Sequence, residues 1–229
     1  PAQRRAFDPA RAGGGGVIIS RGRSYVFVHI PKTGGTSLAL ALEGRAMKDD
    51  LMLGDTPKAL KRRRRLQRVQ TSGRLWKHST LSDIDRLVSA DELDGLFCFT
   101  LVRNPWDRVA SYYRWLRRQG FDHPAVGLAK ATDFAGFLRH PQTQASLRAW
   151  PARRYMKDAA GWERCDLYIR LEHFAVDAQP LFEHLGFALE LPLVNASEGA
   201  VAYTPELRDV VADICAEDIA RFGYAYQGH

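Results

Sequence analysis

The sequence predicts an α/β fold, a three-layer arrangement in which helices flank a central parallel β-sheet. Two apolar segments, residues 25–30 and 96–102, are largely apolar at both alternating positions, as in strands covered on two faces. Each runs straight into a helix-start signal. Strand-like and helix-like patterns go on alternating through the 229 residues, a length that suits one large domain.

Taken in order, residues 1–20 are rich in Arg and Gly, include the run Gly13-Gly14-Gly15-Gly16, and predict a flexible leader to a single domain over 21–229. Pro31 ends the first strand. Residues 36–43 predict a short apolar helix, with Gly44 where a left-handed cap would fall. The polar, basic stretch 47–72 reads as an exposed helix or a mobile excursion. Residues 75–78 predict a short strand, and Ser82 with Asp85 resembles a capping box for a helix to about Val88. After the strong strand at 96–102, Asn104 as cap, Pro105 at the first position and Asp107 in the first turn predict a helix to about Arg118. Helices follow at 134–139 and 141–149, a strand at 166–171, and a helix at 180–185 stopped by Gly186. Thr204 and Pro205 open the last helix, whose apolar face (Leu207, Val211, Ile214, Phe222) runs until Gly223.

Hydrophobic residues make up 45% and charged residues 26%, the balance of an ordinary globular protein. No apolar run approaches the roughly 20 residues of a membrane span, and no signal peptide is visible. Three scattered cysteines (Cys98, Cys165, Cys215) are too few for a disulfide framework and have no histidine at metal-ligand spacing, so no metal site is expected. A reducing compartment follows. The net charge of +7 favours anionic partners. Part of it is one block, Lys61-Arg62-Arg63-Arg64-Arg65, which reads as a solvated face or as a means of capturing an acidic acceptor.

The segment His29-Ile30-Pro31-Lys32-Thr33-Gly34-Gly35-Thr36-Ser37 joins a buried strand to a helix start through glycines and a lysine. Glycines bring backbone N–H groups close to an anion, the helix N-terminus adds unpaired donors, and Lys32 adds a full charge. The order differs from the Walker A loop, since Lys32 precedes the glycines. The second strand ends in Arg103, where a magnesium-binding NTPase has an acidic residue. A guanidinium there can grip an anion. Ser111 lies seven residues after the Asn104 cap, two turns along the same helix face, so Arg103 and Ser111 could hold one phosphate together.

These two segments resemble the sulfotransferase superfamily, particularly its carbohydrate branch (sulfotransferase family 2) and bacterial relatives. The likeness continues through Lys77-His78, Arg170-Leu171-Glu172, Asn195-Ala196-Ser197 and Asp218 to Tyr224. It implies a P-loop-like fold and 3′-phosphoadenosine 5′-phosphosulfate (PAPS) as donor, with adenosine 3′,5′-bisphosphate as product. Lys32, Thr33, Gly34, Gly35, Thr36 and Ser37 would cradle the 5′ side; Arg103 and Ser111 would hold the 3′-phosphate. It also implies a hydroxyl acceptor, first a carbohydrate, with acidic carbohydrates among the candidates, and accounts for the lack of a magnesium ligand. Without an anchor or paired cysteines, a cytoplasmic bacterial enzyme is expected, with no nucleic-acid partner.

Lys32 would stabilise the charge developing on the leaving phosphate. His78, whose position resembles that of the catalytic histidine in carbohydrate sulfotransferases, would be the base, with Glu172 or Asp83 as carboxylate alternatives. His29 reads as packed in the sheet. Trp106, Tyr112, Tyr113 and Trp115 could stack on a sugar or adenine, or serve as core. Two other readings stand beside this one: a P-loop kinase or NTPase, and a non-catalytic nucleotide-binding protein on the same fold.

Overall fold

The computed structural model describes residues 14–192 and 201–228. Its sheet has five strands in the order β3-β1-β2-β4-β5: β1 (Val17–Ser20), β2 (Tyr25–Val28), β3 (Leu51–Leu53), β4 (Phe97–Val102) and β5 (Leu167–Arg170). The expected parallel core is β2-β4-β5, with Val28 beside Thr100 and Leu101 beside Ile169. β1 and β3 extend it antiparallel, β1 pairing Ile18 with Phe27 on one side and with Met52 on the other.

β1 corrects the expected leader boundary. Residues 17–20 are fully buried strand, and the Gly14 carbonyl accepts from Asp55 N at 3.0 Å. The glycines before β1 belong to the packing: a Cβ on Gly15 would lie 2.1 Å from that of Ala39. Residues 1–13 of the expected leader lie outside the described residues.

Helix α1 (Gly35–Gly44) follows β2, and α2 (Pro57–Arg62) follows β3. Gly44 is helical, and Arg45 takes the C-cap at φ −110°. Residues 75–78, expected as a strand, form a turn in which Ser79 Oγ accepts from Trp76 N and donates to Arg74 O. The expected helix over 82–88 is a run of turns, and the reciprocal cap lies two residues earlier: Thr80 N donates to Asp83 Oδ2 and Asp83 N to Thr80 Oγ1. The short α3 (Ala90–Leu93) precedes β4.

Helix α4 (Pro105–Arg117) is capped by Asn104 as expected. Next come α5 (Pro124–Ala131), which the sequence reading missed, then α6 (Phe134–Arg139), α7 (Pro141–Ala149) and the single turn α8 (Ala152–Tyr155). After β5 come α9 (Phe174–Asp177) and α10 (Gln179–Leu185), the latter ended by Gly186 at φ +74°. The expected last helix is two, α11 (Pro205–Ile214) and α12 (Ala216–Phe222), broken at Cys215.

Strand alternation divides the core. Val26, Val28, Cys98 and Val102 pack on Leu81, Ile84, Tyr155 and Met156, while Phe27, Phe99, Leu101 and Ile169 pack on Leu38, Leu42, Leu181 and Leu185. A third cluster joins α4, α5, α6 and α11 through Trp106, Tyr113, Val126, Phe137, Leu207 and Val211. No helix among the described residues is long and apolar enough to cross a membrane.

Candidate active site

The loop leaves β2 at its carboxyl end, the edge where open α/β sheets bind ligands. Its backbone is unusual at two positions: Lys32 has φ +68° and Gly34, the N-cap of α1, has φ +84°. A left-handed lysine is strained, and such strain is found where a structure over-determines a conformation for function. The other long-helix starts carry side-chain caps, as at Asn104 and Thr204, but α1 has none. Its leading N–H groups therefore suit an anion.

The glycines serve the packing as well as ligand approach. A Cβ on Gly34 would meet Leu171 at 2.8 Å, and one on Gly35 would meet the His29 ring at 2.1 Å. The Thr33 hydroxyl is engaged, donating to Ile30 O at 2.9 Å, so this side chain shapes the turn. Thr36 and Ser37 lie in the first turn of α1, and Ser37 is buried.

Four cations converge on Lys32. Burial first, and then the charges of Arg103, Lys77, Arg114 and Arg118, lower its pKa from 10.5 to about 8. Among the described residues no carboxylate pairs with Arg103; Asp107 acts on Arg114 instead. Positive charges crowded around a buried lysine favour an anionic ligand. Arg114 and Arg118 were not singled out from sequence, although they lie three and seven residues beyond Ser111, near its helix face. On that face Arg108 Nε donates to Pro31 O at 3.2 Å, and Lys32 Nζ stands 5.7 Å from the Trp115 ring centre. Ser111, buried, falls between these two anchors, so α4 lies along the loop.

Arg108 was read only as part of a motif. It ties the loop to α12, its Nη1 lying 3.5 Å from Asp218. Glu172, weighed as a base, is engaged elsewhere: Oε1 accepts from Asn104 N at 2.7 Å and Oε2 from the Tyr224 hydroxyl at 3.3 Å. With Asn104 Nδ2 on Ala225 O, it fixes the turn that carries Arg103. Asn195, Ala196 and Ser197 lie outside the described residues.

His78 is buried beside the loop. Its Nδ1 lies 2.8 Å from His29 O, and a carbonyl can only accept, so Nδ1 carries the proton and Nε2 the lone pair. His29 Nδ1 makes the same bond to Gly15 O at 2.6 Å, and the two rings meet edge to face at 4.4 Å. Burial first, then neighbouring cations, hold His29 at about 3; burial and then His29 hold His78 well below 6.5. Both rings are neutral at pH 7.

Lys32, Arg108 and His78 line a cavity of about 460 Å³. Its other walls are mostly aromatic and aliphatic and include Trp76, Tyr112, Phe137, Leu147, Trp150 and Tyr155. Of the aromatic residues of α4, Tyr112 reaches this cavity and Trp115 meets Lys32. Trp106 and Tyr113 are core, bonded to Arg208 O and Thr132 O. Asp83 lines the cavity with Oδ2 held by Thr80 N.

Fold and loop together define a P-loop-like α/β protein with a cationic glycine loop at the carboxyl edge of its sheet. The chain belongs to the sulfotransferase family, whose sequence profile matches residues 16–174, and is thus an enzyme of sulfuryl transfer. No curated protein matches it. The crystal structure of mouse sulfotransferase SULT7A1 complexed with PAP is similar over 91% of this chain and 69% of that one, at 15% identity and a TM-score of 0.38, too distant to bear on the site.

The loop lysine makes one expectation specific. Lys32 is charged below pH 8, and a bound phosphate would raise its pKa. Affinity for adenosine 3′,5′-bisphosphate should therefore be full below about pH 8 and weaken as pH rises beyond it. Calorimetric titrations at pH 7 and pH 9.5 check this, and Lys32→Met should flatten the dependence.

Proposed function

We propose that this single domain, beginning near Gly14, transfers a sulfuryl group from PAPS to an acceptor hydroxyl by in-line displacement, without a metal. The observation that carries the reading is the coincidence, on one cavity, of a buried lysine crowded by other cations and a neutral histidine whose bonded Nδ1–H leaves the lone pair on Nε2.

In this reading the uncapped α1 terminus, with the N–H groups of Thr33, Gly34 and Gly35 and the hydroxyls of Thr36 and Ser37, receives the 5′-phosphosulfate. Arg103 and Ser111 receive the 3′-phosphate, with Arg114 adding charge. His78 Nε2 takes the acceptor proton while the acceptor oxygen bonds to sulfur. The bridging S–O bond breaks with its electron pair passing to the 5′-phosphate, and Lys32 stabilises that charge. The three free thiols accord with a reducing, cytoplasmic setting. A sugar hydroxyl is the acceptor that family resemblance suggests, but the cavity walls favour another class.

Thermal denaturation tests the donor. At about 100 times its Kd, adenosine 3′,5′-bisphosphate without metal should stabilise the protein by about 2.7 kcal/mol, raising Tm by roughly 5–10 °C. ATP with magnesium should do less. The reverse ranking would replace this reading with an NTPase.

A further inference from the structure

Resting on the donor reading above, we infer that the acceptor is a compact phenol-class compound that docks with its ring among the aromatic walls of the cavity and its hydroxyl at His78. The cavity size matches one small molecule better than a polymer chain, which would need an open groove. Five elements supply the walls: Tyr112 from α4, Leu128 from α5, Phe137 from α6, Leu147 from α7 and Tyr155 from α8. Such rings hold another aromatic ring by offset or edge contacts. Trp76 already meets His78 edge to face at 5.1 Å, so the apolar wall continues up to the base.

The charges on the cavity are mixed rather than set for an acidic acceptor. Lys32 belongs to the donor loop, Arg108 is bonded to Pro31 O and faces Asp218, and Arg74 shares the wall with the carboxylate of Asp83. The basic block lies at the β3 edge of the sheet, on α2 and the turn after it. Arg62 holds Met47 O, Arg63 pairs with Asp55, and Arg65 holds Lys48 O. Those three arginines fasten the segment before and after β3, and none of the block lines the cavity.

The chemistry agrees. A histidine that is hard to protonate is a weak base, and it is best matched to a hydroxyl that is already acidic, with a pKa of about 10 as in tyrosine. The phenol proton passes to His78 Nε2, the phenol oxygen bonds to sulfur, and the donor's bridging oxygen leaves with the electron pair.

The test uses the full chain with radiolabelled PAPS and three acceptors: 2-naphthol, N-acetylglucosamine and an unsulfated acidic polysaccharide. The kcat/KM for 2-naphthol should exceed that for either carbohydrate by about 100-fold. Leu147→Asp, and Trp150→Ala at the exposed rim, should each raise the KM for 2-naphthol at least about tenfold without changing the Kd of adenosine 3′,5′-bisphosphate. A carbohydrate used as well as or better than 2-naphthol, or both variants with unchanged KM, overturns the acceptor assignment and leaves the donor standing. Failure to bind adenosine 3′,5′-bisphosphate overturns the donor reading itself.

Discussion

Replacing His78 with alanine is expected to lower kcat by about two to four orders of magnitude, the usual contribution of a positioned general base. Adenosine 3′,5′-bisphosphate should bind with nearly unchanged affinity, because the groups assigned to the nucleotide lie on the β2–α1 loop, the first turn of α1, the turn after β4 and α4. The His29 carbonyl fixes the tautomer, so the nitrogen left with a lone pair is Nε2. A glutamine at this position could hydrogen-bond the acceptor but could not take its proton, and His78→Gln should be as slow as His78→Ala. The pH profile adds a second readout. A base must be unprotonated, and burial keeps His78 unprotonated well below pH 6.5. Activity should therefore stay level as pH falls through 6.5, where an exposed histidine would lose half its activity. Near-normal turnover in either variant would remove His78 from the mechanism, and an acid limb at pH 6.5 would contradict its buried neutral state.

What the sequence made legible was local. The cap, proline and acidic first turn of α4 are decided within four residues, and the strand–glycine–helix order of the loop within ten. Lys32 and Arg103 could be named because each sits at a strand end. Other parts depend on long-range contacts that leave little local trace. The run of glycines before β1 resembles a linker until Gly15 meets Ala39 and the Gly15 carbonyl meets His29. Residues 75–78 have the apolar content of a strand, but Ser79 folds them into a turn, and that turn brings His78 under the loop. Lys77, Arg114 and Arg118 act on Lys32 only once α4 and the turn converge. The basic block shows the same limit, because its charge is evident in the sequence and its carbonyl partners are not.

Gly35→Ala should show how tightly loop and base are joined. The added methyl would lie 2.1 Å from His29 Cδ2 and 2.6 Å from Nε2, far inside contact distance. His29 has little room to yield: its Nδ1 is held by Gly15 O, its ring abuts His78, and its carbonyl accepts a hydrogen bond from His78 Nδ1. Either α1 moves away from β2, spoiling the anion cradle, or His29 tilts and carries His78 with it. Overpacking of this kind costs about 1–3 kcal/mol, which for a chain of this size lowers Tm by roughly 2–12 °C. Turnover should fall well beyond what that loss explains when measured at a temperature where the variant is still folded. Gly44→Ala is the control, since its Cβ would meet nothing within 4 Å and the residue is already helical. Alanine there should be neutral or stabilising by up to about 1 kcal/mol, with kcat unchanged. If Gly35→Ala kept wild-type Tm and kcat, the packing of His29 between loop and base could not be what positions His78. If Tm fell while kcat held, the glycine would serve stability alone, and the base would be held by the turn over 75–79 rather than by the strand that carries His29.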